Sequence, residues 1–273
     1  MLTESPAAGT VTSMDKSWEN LGYPSFRATL AEQVNDVVSV PQDPFLQIEL
    51  LRSMVPAKLD EPVLVDVEVA TRMVRPYTWL LDQVGDGVKL TAAGFLPPKF
   101  VEATVAELGL GDEWIGKHNR ENQTLPVLEL RESAMKTGLL RKERGVLLPT
   151  RSGRSVRSDP VKLWWDLAAN VPPRRAQRLE LQATVLLLTA VAAQLPEEPL
   201  QFATGWLEKF GYGLRDGSPM TKWTAKHSAE TAYTILLRTG AIERGEILQP
   251  DRVTSQGALF ARAALRTWPK PSR

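Results

Sequence analysis

Basic side chains cluster in one stretch of the chain, and the chemistry they offer is phosphate binding. Between residues 131 and 157 there are eight Lys or Arg residues but only two acidic ones, Glu132 and Glu143. Guanidinium and ammonium groups bind phosphate oxygens through charge-assisted hydrogen bonds. Seven of these eight, all but Arg131, and three cations further along the chain are the candidate nucleic-acid-binding residues: Lys136, Arg141, Lys142, Arg144, Arg151, Arg154, Arg157, Lys222, Lys226 and Arg238.

The net charge of +1 over 273 residues hides a strong asymmetry. Residues 1–130 hold 10 Lys/Arg and 19 Asp/Glu, a net charge of −9, whereas residues 131–273 hold 23 and 13, a net charge of +10. Such asymmetry indicates nucleic-acid contact by the basic part. The alternative is that the acidic part neutralises the basic part, within one molecule or between neighbours.

Residues suited to catalysis or metal binding are scarce. The chain has no cysteine, which excludes thiolate zinc sites and cysteine nucleophiles, and its two histidines, His118 and His227, lie far apart in sequence. The stretch GDEWIGKH places His118 where a phosphate-binding loop carries Ser or Thr, and no G-x-S-x-G occurs. We therefore predict no enzyme activity, no metal site and no cofactor. A pair of carboxylates that meets only in the fold keeps a hydrolytic enzyme as an alternative.

A helix, a β-hairpin and a second helix must position the basic cluster. The spacing of apolar residues predicts a helix over Leu125–Lys136 that ends at Thr137-Gly138. Two short strands then flank residues 141–145, and Pro149 ends the second strand. Asp159-Pro160, an N-cap followed by proline at N1, begins the next helix. This order predicts a winged helix-turn-helix unit.

The predicted outward faces of two helices differ in charge. In the helix 125–136 the outward residues are expected to be Glu129, Glu132, Ser133 and Lys136, with Arg131 near the edge. Two carboxylates there oppose phosphates and argue against contact with the major groove. The helix before the last hairpin is the better candidate, with the predicted outward set Lys222, Lys226, His227, Thr231, Thr234 and Arg238 beside Glu230. The alternative for all of these side chains is a solvated surface.

An internal repeat supports more than one such unit. A turn, a short apolar strand and Thr-x-x-Gly recur in GDGVKLTAAG, RGVLLPTRSG and RGEILQPDRVTSQG. The threonine hydroxyl is expected to cap the turn that follows, and the glycine to allow close backbone approach. Thr137-Gly138 and Thr239-Gly240 precede the second and third copies. Chance similarity is the alternative for matches this short.

The predicted fold class is mainly α with short β-hairpins, arranged as tandem winged-helix-like units. The predicted domains are a loose N-terminal segment 1–24, a helical domain 25–95 that ends in a hairpin, a winged-helix-like domain 96–176 and a second one 177–273. Helices are expected over Phe26–Val38, from Asp43-Pro44, from Pro97-Pro98 and over Leu179–Leu195, the last buried nearly all round. Residues 63–69 fit a strand or a helix. We expect a soluble, cytoplasmic protein with no membrane segment.

Three segments resemble the C-terminal region of bacterial members of the Ri-plasmid ORF-three-like family, whose proteins are uncharacterised. They lie between Arg75 and Ala169: RPYTWLLDQVGDGVKLTAAGFLPP, DEWIGKHNRENQTLPVLELRESAMKTGLLRK and DPVKLWWDLA. The family's N-terminal domain has no counterpart in residues 1–74, so a shortened relative is expected. Residues 137–153 are also similar to the wing of bacterial winged-helix regulators. That similarity implies a helix in the major groove and a wing on the backbone.

These observations predict a nucleic-acid-binding protein without catalysis, a winged-helix protein of DNA binding or transcription regulation. Its expected partner is double-stranded DNA, bound through the hairpin tip and the basic residues after it. The alternative is a protein-interaction module that uses the same units to bind a protein partner or a second copy of the chain.

Overall fold

The computed structural model describes residue 27 and residues 30–267 without 115, 174 and 246–248, and this part of the chain is mainly helical with two small antiparallel sheets. The predicted segment 1–24 lies outside the described residues. The helices are α1 Glu32–Val38, α2 Pro44–Met54, α3 Val67–Val84, α4 Pro98–Leu108, α5 Leu125–Lys136, α6 Arg151–Val156, α7 Pro160–Ala169, α8 Arg178–Ala192, α9 Pro199–Lys209, α10 Lys222–Ser228, α11 Glu230–Arg238 and α12 Ser255–Thr267. The strands are β1 Val88–Lys89, β2 Leu140–Glu143, β3 Val146–Pro149, β4 Ile242–Glu243 and β5 Arg252–Val253. The predicted class, mainly α with short hairpins, is confirmed.

Helix α8 lies at the centre of the molecule. Every residue from Gln182 to Ala192 is buried, as the apolar run predicted. Helices α12 and α9 pack along it, and α1, α2, α10 and α11 also contact it. A helix that is apolar all round needs neighbours on every side, so α8 collects elements from both ends of the chain.

The larger of the two sheets has three strands. Its strands run in the order β1–β3–β2, with Val88 opposite Leu147 and Glu143 opposite Val146. Arg144 and Gly145 form the two-residue turn between β2 and β3, with φ of 48° and 79°. Positive φ at both positions is the type I′ geometry, which matches the twist of paired strands. The hairpin is therefore longer, and its turn tighter, than the sequence predicted.

A threonine and a glycine fasten this hairpin to the end of α5. Thr150 Oγ1 donates to the Gly138 carbonyl oxygen at 2.6 Å and accepts from the Gly153 amide at 3.0 Å. The Thr150 amide donates to the Leu139 carbonyl oxygen at 2.9 Å. An added Cβ at Gly153 would overlap that same oxygen, so the start of α6 requires glycine.

The second hairpin repeats this arrangement. Thr254 Oγ1 donates to the Gly240 carbonyl oxygen at 2.9 Å and accepts from the Gly257 amide at 3.0 Å. The Thr254 amide donates to the Ala241 carbonyl oxygen at 3.1 Å, and a Cβ on Gly257 would overlap it. The repeat predicted from sequence is confirmed for these two copies, which we call the threonine–glycine clasps.

The copy at Thr91 is different. Thr91 Oγ1 accepts from the Phe95 amide at 3.1 Å, and the Phe95 carbonyl oxygen accepts from the Thr91 amide at 2.8 Å. Gly94 has a φ of 82°, and α4 begins only at Pro98. Thr91 therefore closes the turn that follows it, but this turn does not begin a helix.

Aspartate N-caps mark the starts of three other helices. Asp43 and Asp159 accept from backbone amides at the starts of α2 and α7, each followed by proline, as predicted. Asp66 caps α3 by accepting from the Glu68 amide at 2.8 Å. For residues 63–69 the sequence fitted a strand or a helix. The structure shows a helix from Val67 onward, and residues 63–66 form no strand. Of the predicted helix Phe26–Val38, the described part shows α1 at Glu32–Val38.

Replacing a clasp glycine with alanine should destabilise the protein strongly. We expect Gly153→Ala and Gly257→Ala each to lower the free energy of unfolding by at least about 1–3 kcal/mol, because the new methyl group meets backbone that cannot rotate away. The measurement is urea unfolding followed by circular dichroism.

Gly205→Ala is the matched control. Gly205 lies inside α9 with open space where alanine would place its methyl group, so this change should raise stability by about 0.4–1 kcal/mol. Equal effects of the three substitutions would contradict the clasp.

Candidate nucleic-acid interface

The two helices that precede the hairpins pack against each other. The two helices are in contact, and among the residues that they bury are Val127, Leu130 and Ala134 of α5 and Ile235 and Leu236 of α11. In a winged helix the helix before the hairpin is the one that enters the major groove. Here each helix covers part of the other, so much of both faces is withdrawn from solvent.

Arg238 lies inside this contact and not on the surface. Its side chain is 3% exposed and forms a two-bond ion pair with Glu113, with Nη1 3.0 Å from Oε1. Thr231 and Thr234 are buried as well. The predicted outward orientation of these three residues is wrong, because all three are buried on a helix that α5 and α8 contact.

Arg131 and Ser133 are also buried, contrary to the predicted outward face of α5. Arg131 Nε lies 2.5 Å from Glu121 Oε1, and Glu121 Oε2 accepts from the Leu96 amide at 2.7 Å. The Ser133 hydroxyl lies 2.9 Å from the hydroxyl of Tyr77. Burial raises the pKa of Tyr77, so the phenol stays protonated. These groups hold α5 in place.

Three other candidate cations, Lys136, Lys222 and Lys226, interact with side chains of the protein. Lys222 Nζ lies 2.6 Å from Glu198 Oε2, and Lys226 Nζ lies 4.6 Å from the centre of the Tyr233 ring. Lys136 Nζ is 3.6 Å from a carboxylate oxygen of Glu230. Each of these three cations thus interacts with another side chain of the protein.

The first hairpin carries exposed cations at its tip. Arg141, Lys142 and Arg144 are all exposed. Arg141 forms an ion pair with Glu143 on the same strand. Lys142 and Arg144 form no ion pair with any residue that the structure describes.

Helix α6 continues the positive charge. Arg151 and Arg154, three residues apart on one helical face, are exposed and form no ion pair within the described ranges. Arg154 Nη1 donates to the Pro149 carbonyl oxygen at 2.8 Å, which fixes its direction. Arg157 is engaged, with Nε 2.5 Å from Asp82 Oδ1.

We call Lys142, Arg144, Arg151 and Arg154 the basic surface. Four strand residues at about 3.3 Å each and one helical turn at about 1.5 Å per residue give a span of roughly 20 Å. At about 3.4 Å per base pair this corresponds to roughly six base pairs of duplex.

Ion pairs between the acidic and basic parts of the chain explain why only some cations remain. Five pairs within the described residues join the two parts: Asp82–Arg157, Glu113–Arg238, Glu121–Arg131, Glu49–Lys209 and Glu61–Arg262. Intramolecular neutralisation therefore accounts for part of the asymmetry, and the cations of the basic surface are among those that it leaves without an ion pair.

A groove beside the basic surface contains residues that are not among the predicted nucleic-acid-binding residues. Arg72, Arg75 and Trp79 of α3 line it, opposite Arg154 and Arg157. Because Arg72, Arg75 and Trp79 are spaced by three and four residues, they lie on one face of α3. That spacing was the available signal, but two arginines on an amphipathic helix are usually a solvated face.

The histidines do not form a catalytic pair. His118 Nε2 lies 2.5 Å from the Trp114 carbonyl oxygen in a loop. His227 stacks on Trp223, which is 72% exposed, and its Nδ1 is 4.0 Å from Glu230 Oε1, beyond hydrogen-bond reach. Burial raises the pKa of the neighbouring Glu129, an effect that Lys226 partly offsets. Among the described residues no group of three or more His, Asp or Glu could hold a metal ion.

Several aromatic residues are packed inside the protein. Trp164 is buried, with its ring centre 5.3 Å from that of Phe260. Trp206 is buried between Phe202 and Phe210. Trp223 of α10 and Phe45 of α2 are exposed.

Comparison of the chain with family models, with curated proteins and with solved structures found no match. The resemblance to the Ri-plasmid ORF-three-like family stays a prediction. In the described part of the chain, no helix combines the length and the apolar character that crossing a bilayer requires.

Removing Glu121 should be far more costly than removing Glu143. In the first case a buried guanidinium and the Leu96 amide lose their acceptor, and the loss of one partner from a buried pair costs about 3–5 kcal/mol. The Arg141–Glu143 pair is half exposed, so its loss should cost less than about 1 kcal/mol. We expect Glu121→Ala and Glu143→Ala to differ accordingly in urea unfolding, and similar midpoints would contradict the structural role of Glu121.

Proposed function

We propose that this protein binds double-stranded nucleic acid through the basic surface, as a winged-helix protein of the DNA-binding, regulatory kind. The element order α3–β1–α4–α5–β2–β3 and the strand order β1–β3–β2 support the winged-helix interpretation. The absence of cysteine is compatible with work in the cytoplasm, which is part of the proposal.

The contact is made by the hairpin and α6, not by a helix in the major groove. Helices α5 and α11 cover each other, and the exposed part of α5 includes Glu132. A carboxylate near the groove opposes the phosphates on either side. Lysine and arginine on a hairpin instead contact the phosphate backbone, which gives affinity with little dependence on base sequence.

The observation that carries the proposal is the set of four exposed cations without ion pairs on neighbouring elements. Arg144 adds to it, because it occupies a left-handed turn position where Asn or Gly is usual. A non-glycine residue with this backbone costs about 1–2 kcal/mol. An arginine kept at such a position is consistent with a functional demand at the hairpin tip.

The test is fluorescence anisotropy of a labelled random duplex, titrated with protein at several salt concentrations. Four phosphate contacts predict a slope of about −3 to −4 in a plot of log association constant against log salt concentration. The variant Lys142→Gln, Arg144→Gln, Arg151→Gln should reduce the size of that slope by about 2 to 3, with weaker binding at every salt concentration.

A matched variant removes three exposed cations from other elements: Lys58→Gln, Lys117→Gln, Arg215→Gln. Lys58, like Arg144, has a left-handed backbone, so the two variants carry a similar conformational change. The control variant should keep the wild-type slope. Equal losses in both variants, or no duplex binding by the wild type at low salt, would overturn the proposal and favour a protein partner.

A further inference from the structure

The groove beside the basic surface has the size and shape of a small-molecule site. It lies between α3 and residues 154–160 and has a volume of about 840 Å³. Ligand sites in proteins usually measure about 300–1,000 Å³. None of its lining residues belongs to the hairpin, so the groove needs an explanation of its own. We call it the arginine groove.

The arginine groove has an excess of positive charge. Four guanidinium groups and one carboxylate line it. Arg157 is neutralised by Asp82, and Arg75 Nη2 lies 2.8 Å from Glu107 Oε1. Arg72 forms no ion pair with any residue in the described ranges, and neither does Arg154. Two guanidinium groups are thus left for a ligand with about two negative charges, which is the charge of a phosphate monoester.

An aromatic ring lies in the same groove. Trp79 is half-buried, and its ring centre is 5.9 Å from that of Phe100 with an interplanar angle of 69°. This edge-on contact fixes the indole while part of it lines the arginine groove. An indole beside a phosphate site offers a stacking surface for a planar base.

We propose that the arginine groove binds a nucleoside 5′-phosphate, with its phosphate on Arg72 and Arg154 and its base on Trp79. The ligand chemistry has two sources, a free mononucleotide or the phosphorylated 5′ end of a single strand. In a duplex the bases are stacked on each other, so this site is separate from the proposed duplex contact although Arg154 belongs to both.

The experiment is isothermal titration calorimetry with the full chain and five probes: 2′-deoxyadenosine 5′-monophosphate, deoxyadenosine, inorganic phosphate, and a deoxyadenosine decamer with and without a 5′-phosphate. The monophosphate should bind at least about tenfold more tightly than deoxyadenosine or inorganic phosphate, because each of these lacks one half of the recognised group. A decamer that binds tenfold more tightly than the mononucleotide, and only when phosphorylated, identifies the strand end as the source. Otherwise the free nucleotide is the source.

Variants separate the two halves of the site. Arg72→Gln, an exposed substitution, should weaken monophosphate binding by about tenfold, whereas Arg215→Gln should leave it unchanged. Trp79→Leu should remove the advantage of the monophosphate over inorganic phosphate, and Trp79→Phe should restore most of it. Neither Arg72→Gln nor Trp79→Phe should change duplex binding by more than about twofold.

Two results would overturn the proposal. Inorganic phosphate that binds as tightly as the monophosphate, with no effect of Trp79→Leu, would show a simple anion site. If neither the monophosphate nor the phosphorylated decamer binds to the folded wild-type protein, the arginine groove is not a nucleotide site. Neither result depends on whether the duplex binds to the basic surface.

Discussion

Helices α5 and α11, each of which leads into a hairpin, bury their apolar sides against one another, and this contact constrains the rest of the molecule. Each helix also carries a buried arginine that is paired with a carboxylate, Arg131 with Glu121 and Arg238 with Glu113. Both carboxylates belong to the segment between α4 and α5. The two ion pairs therefore attach this segment to α5 and to α11. The helices that would enter a major groove are thereby used for packing, whereas the hairpin and α6 carry four exposed cations without ion pairs among the described residues.

Local hydrogen bonds were the most predictable part of this fold. Asp159-Pro160 and the two threonine–glycine clasps act within a few residues or across one hairpin, so their signals lie close together in the sequence. Thr91 shows the limit of such signals, since the same four-residue pattern closes a turn when no helix follows at once. The pattern specifies a hydrogen bond, and the context decides which element the bond begins.

The burial of α11 was not predictable from its own residues. Its threonines and Arg238 indicated a polar outer face. Thr231 is nevertheless buried, although its Oγ1 has no hydrogen-bond partner among the described residues. Arg238 is accommodated by Glu113, which is 125 residues away and shows no local relation to it. The charge asymmetry was likewise visible in sequence, but only the fold shows which cations are neutralised and which form the basic surface.

Hydrogen–deuterium exchange with and without a duplex of about 20 base pairs tests most directly whether the hairpin and α6, and not the paired helices, meet the nucleic acid. We expect slower exchange of the amides between residues 140 and 157 when the duplex is present, because the bound backbone restricts opening of the hairpin and of α6. Exchange in α11 should stay unchanged, since that helix is already covered by α5 and α8. Protection of α5 and α11 without protection of residues 140–157 would contradict the account and require the two helices to separate on binding.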